Sequence, residues 1–489
     1  MKKTFTRLQF VQLIFGWPFA LMVGLVFIEA VLSASVTYLV IHAGRDIVND
    51  DFVAKDFLWI LFAQGGSYFV HAVSWIFGER AGFRAFARYM MIFTRDNRHK
   101  ATVLGARDIR ENTEPFLTNE TFHLLFETMY ELEGTLQLAF GIILNVLVIG
   151  FEIDGGFPIA YAVILFIVLL LQFSARKPVA NAYLNNQRAT NRMTAQTYTA
   201  WDNIFSGNRS NFHLWNKTFI ERLGIALKAQ VHAILVRETL SGISGVIGLI
   251  IIFSTMALVV QKDVGQTALL VGMAATLPKQ ISLTHDIHAF AIAWNDLLAL
   301  WTRVGGVVEH IHPDRPADFD TRIQFDRITL KQGDTQMKCS NLDDALAMVK
   351  LHATGLVQVR GGNGSGKSSL LAALKESLKG QAYYWPTTDR LAFEFAGGTA
   401  KVPEAEEDDD DRDEDEEISK DSIKRSSHGF SSGERQLKSL QEIVQTTNNT
   451  VYLFDEWDAN LDPVHRAKAA LLVDQLAARA RVIEISHRG

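Results

Sequence analysis

Cysteine and concentrated positive charge are both scarce in this 489-residue chain. Its only cysteine is Cys339, which excludes an intrachain disulfide. Lys and Arg total 48 against 54 Asp and Glu, for a net charge of −6, and no basic domain or stripe stands out. Proteins that bind nucleic acid through its phosphates carry such a stripe. We therefore expect no nucleic-acid partner.

Long apolar runs, in contrast, fill the first three-fifths of the chain. Each is long enough to cross the roughly 30 Å of hydrocarbon in a bilayer. The first run is too long for a secretory signal peptide, although Lys2, Lys3 and Arg7 precede it. We predict a helical membrane domain over residues 1–310 with six transmembrane helices at about 11–42, 57–80, 131–153, 156–174, 238–261 and 265–300.

Basic residues are concentrated in two long loops, at about 81–130 and 175–237. The short loop after the third span offers only the acids Glu152 and Asp154. Because basic residues near span ends stay on the cytoplasmic side, both termini and both long loops are predicted to be cytoplasmic. Residues 84–97 and 183–201 lack proline, which predicts that the spans continue as helices into turn-like tips at 111–115 and 206–209.

A phosphate-binding pattern lies beyond a proline-containing linker at 311–316, in a second predicted domain over residues 311–489. Residues 361–368 read GGNGSGKS and fit the P-loop pattern G-x4-G-K-[ST]. The apolar run at 355–359 before this pattern predicts a strand, and residues 369–378 after it predict a helix. Glycines let backbone N–H groups surround a phosphate, and a helix N-terminus adds positive partial charge. The predicted nucleotide-binding residues are Gly361, Asn363, Gly364, Ser365, Gly366, Lys367, Ser368 and Ser369.

Two acids follow an apolar run at 451–454 and complete a predicted ATP site. Lys367 suits contact with the β- and γ-phosphates, and Ser368 with Asp455 suits a Mg²⁺ ion. Glu456 suits a catalytic role as the base or water-orienting group beside the γ-phosphate. ATP and Mg²⁺ are therefore the expected cofactors.

The order of the remaining motifs resembles that of the ABC ATPase family. FSSGERQ at 430–436 follows the P-loop, and Asp455-Glu456, NLD at 460–462 and finally His487 come after it. The resemblance implies that Ser431 and Gly433 belong to the signature motif, which contacts ATP held by the other subunit. It also implies that Asp462 is the D-loop acid and that His487 is a catalytic switch that senses the γ-phosphate.

With its six predicted spans, the whole chain is similar to an exporter-fold (type IV) half-transporter. The resemblance implies a homodimer in a membrane lipid environment, an ATPase coupled to transport, and a bacterial inner (cytoplasmic) membrane with the ATPase domain in the cytoplasm. Trp457 after the acid pair, with Asn363, is similar to half-transporters that move cyclic or modified peptides. We therefore expect export of a peptide-like substrate.

Several departures from the family pattern leave alternatives open. Thr387 stands where the resemblance implies a glutamine, and Ser432 replaces the first signature glycine. Lys367 and Ser431 are 64 positions apart (431 − 367), which predicts a reduced helical subdomain. Peptide uptake, a lipid flippase and a non-transporting ATP-binding regulator are the alternative functions.

Charged residues in two further places have no assigned chemistry. Residues 404–417 are almost entirely acidic and predict a disordered insertion or, alternatively, a regulator that binds a basic surface. Ionisable residues in membrane spans line a pathway or pair between helices. The candidates for the substrate path are Glu29, His71, Lys279, His285 and Asp286.

Overall fold

The computed structural model describes residues 5–49, 54–262, 267–387, 391–393, 432–459 and 461–486. Long helices and a small mixed sheet make up most of these residues. The chain divides into two compact units, residues 1–90 with 118–308 and residues 91–117 with 309–489. The acidic segment 404–417, Ser431 and His487 lie outside the described residues, as does most of the predicted reduced subdomain.

Helices account for nearly all of the chain before residue 311. Their bounds are α1 Arg7–Gln12, α2 Trp17–Val48, α3 Ala54–Asn97, α4 Arg107–Pro115, α5 Thr121–Glu152, α6 Gly156–Thr197, α7 Ala200–Phe205, α8 Arg209–Lys262, α9 Thr267–Ala275 and α10 Leu277–His310.

Five of these helices, α2, α3, α5, α6 and α8, are long and apolar enough to span a membrane. They match the first five predicted spans, because hydropathy over some 20 residues measures the apolar length that a membrane-spanning helix needs. The first of these helices begins later than predicted, because a non-helical segment separates α1 from α2. Arg88 stabilises that segment by donating to the carbonyls of Leu13 and Phe15, both at 2.9 Å.

The sixth predicted span, 265–300, is not among these five helices. Described residues in that range form α9 and α10, which are interrupted at Thr276. Pro278 begins the next turn and cannot donate a backbone hydrogen bond, which explains an interruption here. The Gly272 carbonyl accepts from both the Thr276 N–H at 3.1 Å and the Thr276 hydroxyl at 2.9 Å. A six-helix membrane domain therefore stays a prediction.

The predicted continuation of the second and fourth spans as longer helices is confirmed, and one of the two predicted tips is misplaced. α3 continues to Asn97 and α6 to Thr197. Gly207, with φ +70°, reverses the chain between α7 and α8 as predicted. The predicted turn at 111–115 is wrong, because α4 covers it and the chain turns at residues 98–106. A wider π-helical turn over Phe116–Glu120 follows α4.

The second unit is built on a six-stranded sheet in the described residues, with strand order β2-β1-β3-β6-β5-β4. β1 pairs antiparallel with β2 and β3, whereas β3, β6, β5 and β4 run parallel. The strand bounds are β1 Thr329–Gln332, β2 Thr335–Lys338, β3 Gly355–Arg360, β4 Ala382–Trp385, β5 Val451–Asp455 and β6 Arg481–Ile485.

Helices cover this sheet with two apolar layers. α11 Leu342–Lys350 and α12 Lys367–Leu378 contribute to one layer, and α13 Ser432–Thr446 and α14 Pro463–Arg479 contribute to the other. Burial on both faces explains why β5 and β6 are buried at every position. In such parallel sheets ligands bind beyond the carboxyl ends of the strands. The predicted phosphate loop and acid pair both lie at this edge, after β3 and at the end of β5.

Candidate functional site

The glycine loop after β3 adopts a backbone that requires its glycines. Gly364 and Gly366 have φ of +76° and +87°, which side chains disfavour. A Cβ on Gly366 would lie 2.8 Å from the Ile323 Cα and still closer to the Arg322 carbonyl oxygen. The loop therefore packs directly on the main chain of a neighbouring segment. The Gln324 N–H donates to the Ser365 carbonyl at 3.0 Å and joins the two.

Lys367 begins the helix that follows this loop. Its ammonium donates to the carbonyls of Gly361 at 2.9 Å and Gly362 at 3.2 Å. The lysine thus folds back over the loop from the first turn of α12. The N–H groups of the first turn of α12 lie at the end of the helix that adjoins this loop, and such groups attract anions.

Ser368 and Asp455 meet at the carboxyl end of the sheet. The Ser368 hydroxyl donates to Asp455 Oδ1 at 2.9 Å, and the Thr387 hydroxyl donates to the Asp455 carbonyl at 3.4 Å. Asp455 is 5% exposed. Burial raises the pKa of this carboxyl and the negative charge of Glu456 adds to that shift, while the Ser368 hydrogen bond and Lys367 oppose it. A buried carboxylate beside a hydroxyl is an oxygen-only donor pair that fits Mg²⁺.

Glu456 follows directly and lies in the left-handed backbone region, with φ +50°. This conformation is costly for a residue with a side chain. The Glu456 N–H donates to the Ile485 carbonyl at 2.9 Å, which anchors the turn to β6. The acid pair is thus divided between a buried carboxylate and a half-buried one.

The other family-derived residues lie on the two helices of the second layer. Gly433 is in the first turn of α13. Asp462 caps α14, where its Oδ1 accepts from the N–H groups of Val464 at 2.8 Å and His465 at 2.9 Å. These hydrogen bonds, that of His465 first, lower the pKa of Asp462. Within the described ranges, neither residue hydrogen-bonds to the glycine loop.

A buried network beside the acid pair was not predicted from the sequence. The Trp457 indole donates to Glu484 Oε2 at 2.9 Å. The Ser486 hydroxyl at 2.8 Å and the Gln358 amide at 3.2 Å donate to Glu484 Oε1. Glu484 is fully buried within β6. A single acid inside the otherwise apolar run at 482–485 was the available signal, because a charge there requires partners.

The predicted path residues on α2 and α3 contact each other. The carboxylate of Glu29 lies 3.3 Å from His71 Nδ1 and accepts from the Gln137 amide at 2.8 Å. Among described residues, Glu29 and His71 therefore pair across helices, as the alternative interpretation predicts. Two further buried pairs of this kind, missed from the sequence, are Thr37–Asn145 and Ser74–Glu133, each at 2.5 Å.

The remaining path candidates, Lys279, His285 and Asp286, lie on α10. Lys279 borders a cavity of about 210 Å³ together with Thr37 and Gln64. No hydrogen bond in the described part of the chain links the α10 candidates to Glu29 or His71.

The turn after α3 contacts the helix that follows the glycine loop, and both belong to the second unit. Thr102 donates to the Glu376 carboxylate of α12 through its hydroxyl at 2.5 Å and its N–H at 3.3 Å. Asn97 and Lys100 donate to the carbonyls of Ile311 at 2.8 Å and Pro313 at 3.1 Å. This turn is thereby fixed to the unit that carries the site.

The described residues bring together a glycine loop, a lysine, a hydroxyl and two acids at one edge of a sheet. Such an arrangement can hold a polyphosphate and a cation that prefers oxygen ligands. Among known proteins, no family model matches this chain and a search of curated proteins found no match.

Proposed function

We propose that this chain is one half of an ATP-driven membrane transporter, with ATPase activity, that works as a homodimer in a bacterial inner membrane. The contact between Ser368 and Asp455, beside the loop closed by Lys367, carries the proposal. It supplies the hydroxyl and carboxylate that P-loop ATPases use, at the strand end where such ATPases use them. The five helices long and apolar enough to span a membrane support a transport role.

Each residue of the site has a role in this proposal. The loop N–H groups and Lys367 bind the β- and γ-phosphates, and Lys367 exchanges its contacts with the Gly361 and Gly362 carbonyls for phosphate oxygens. Ser368 and Asp455 hold Mg²⁺, whose charge, when it is bound, offsets that of the phosphates. Glu456 orients the attacking water and accepts its proton.

The second copy completes the site in this proposal. By the family resemblance, Ser431 and Gly433 contact ATP held by the partner, Asp462 is the D-loop acid and His487 senses the γ-phosphate.

In this proposal, a shift of the first turn of α12 on ATP binding is passed along that helix to Glu376 and to its contact with Thr102, in the turn after α3. ATP thus favours one of two membrane conformations by binding it more tightly. The cargo class, a peptide or peptide-derived compound that is exported, rests on the sequence resemblance around Trp457.

The first experiment compares ATP hydrolysis by the reconstituted protein with that of Glu456→Gln. We expect the substitution to lower the rate about 100-fold or more, in the range general bases contribute. Asp334→Asn, which removes an exposed carboxylate from the β1–β2 turn, is the matched control and should leave the rate unchanged. Equal rates for wild type and Glu456→Gln would refute the ATPase proposal.

A cargo experiment then separates the modes of transport. Stimulation of hydrolysis by members of a peptide panel, with peptide accumulation in inverted vesicles, supports export. Accumulation in whole cells instead supports peptide uptake, and a response to lipids alone supports a flippase.

One observation favours a non-transporting ATP-binding regulator. Thr387 stands at the position of the family's glutamine, and its hydroxyl contacts the main chain of Asp455. ATP binding without turnover, unchanged in Glu456→Gln, would support this alternative.

A further inference from the structure

Glu484 is a buried carboxylate near the C-terminal end of β6 that the proposed reaction does not use. Burying a carboxylate is costly unless hydrogen bonds replace its water. Here three donors do so, the Trp457 indole on Oε2 and the Ser486 hydroxyl and Gln358 amide on Oε1. Both oxygens of this carboxylate are therefore held by polar partners.

The turn at Glu456 requires outside support. A left-handed φ of +50° at a residue with a side chain persists only where the surroundings fix it. On the N-terminal side, the Glu456 N–H donates to the Ile485 carbonyl at 2.9 Å. On the C-terminal side, Trp457 is 1% exposed, and its carbonyl accepts from the Gln436 amide of α13. The peptide units before Glu456 and after Trp457 are thus held.

The indole of Trp457 is the link between this turn and Glu484. β5 and β6 pair in register, with Phe454 opposite Glu484 and Asp455 opposite Ile485. Glu484 is therefore level with the last residues of β5, and Trp457, which follows the end of that strand, contacts it. The 2.9 Å bond to the indole N–H fixes the ring, and the ring fixes the residue next to Glu456.

We propose that Glu484 is a positioning residue that acts through Trp457 to hold the turn that aims the Glu456 carboxylate. This inference rests on the proposed ATPase function for its catalytic consequence. Gln358, which also contacts Glu484, accepts from the Arg360 guanidinium at 2.9 Å, directly before the glycine loop. The same carboxylate therefore ties the strand before the phosphate loop to the turn that carries the proposed base.

The test uses Trp457→Phe and Glu484→Gln in the full chain. Trp457→Phe keeps an aromatic ring and removes the N–H donor. Glu484→Gln keeps the shape but presents an amide NH₂ to groups that themselves donate. The matched control is Trp385→Phe, which makes the same change in the same apolar layer, where the ring packs on Phe454.

We expect both test variants to lower kcat about tenfold or more, as misplacement of a catalytic group does, while the KM for ATP stays within about twofold. The double variant should be no slower than the slower single variant, since both remove one link. Hydrogen–deuterium exchange should show faster exchange of the Glu456 amide in both test variants. Trp385→Phe should leave kcat and this exchange unchanged, whatever its effect on thermal stability.

The exchange measurement separates this inference from the proposed function. If the wild type hydrolyses no ATP, the ATPase proposal fails, and faster exchange at Glu456 in the two variants still supports the positioning role. Unchanged exchange and unchanged kcat in Trp457→Phe would overturn it. Effects in Trp385→Phe equal to those in Trp457→Phe would also overturn it, because loss of packing would then explain both.

Discussion

The geometry of the glycine loop makes Gly366→Ala a sharp test of the site. A left-handed φ costs a residue with a side chain about 1–2 kcal/mol. The new Cβ would also collide with the main chain of Arg322 and Ile323, and it would lie 2.8 Å from the Ile323 Cα. Forced overpacking of this kind adds about 1–3 kcal/mol. The two contributions predict a loss of about 2–5 kcal/mol in the free energy of unfolding.

Gly364→Ala is the matched control, because Gly364 shares the left-handed φ, but a Cβ added there would meet no atom within 4 Å. We expect it to lose only the backbone contribution, about 1–2 kcal/mol. Urea titration of the purified protein, followed by tryptophan fluorescence, measures both losses. Equal losses for the two variants would refute the close packing of Gly366 against the 322–323 main chain.

Three further predictions follow from contacts described above. Because burial raises the native pKa of Asp455 above the ordinary 3.8, the native state binds more protons. Protonation of Asp455 should therefore make the Mg²⁺-free protein more stable as the pH falls from that raised pKa toward 3.8. Asp455→Asn removes this titration and should flatten the same part of a plot of Tm against pH. Thr102→Val removes a hydroxyl donor to Glu376 and should reduce stimulation of hydrolysis by cargo while sparing the basal rate; equal loss of both rates would contradict a coupling role. Asn145→Leu removes the 2.5 Å acceptor of the buried Thr37 hydroxyl, which keeps only a 3.4 Å hydrogen bond to the Ser33 carbonyl, and should cost about 1–3 kcal/mol; adding Thr37→Val should recover part of that loss in a thermal unfolding assay.

The parts of the site that follow from local spacing were predictable. The glycine pattern at 361–366 specifies a backbone that only small residues adopt, so the strand, loop and helix around it appear where the sequence predicts them. Hydropathy likewise located the first five long helices. Both signals depend on neighbours in the chain, and no tertiary contact is needed to recognise them.

Features that depend on tertiary contacts were missed. The turn at 98–106 carries no strong turn signal, and its contact with Glu376 joins residues 274 positions apart. The Trp457–Glu484 bond joins two strand ends that meet only in the folded sheet. The interruption at Thr276 had a local signal in Pro278. A prediction based on mean hydropathy misses this signal, because one proline changes the mean over some 20 residues very little.

The division of the chain into units has a practical consequence for building hybrid proteins. The unit that carries the glycine loop includes residues 91–117, far upstream of its main part at 309–489. A fusion made by one cut near residue 310 would pair Glu376 with a foreign turn and deprive the Ile311 carbonyl of the Asn97 donor. Exchange of this module between proteins therefore requires two segments to be transplanted together, and an expression fragment that begins at residue 311 lacks one of them.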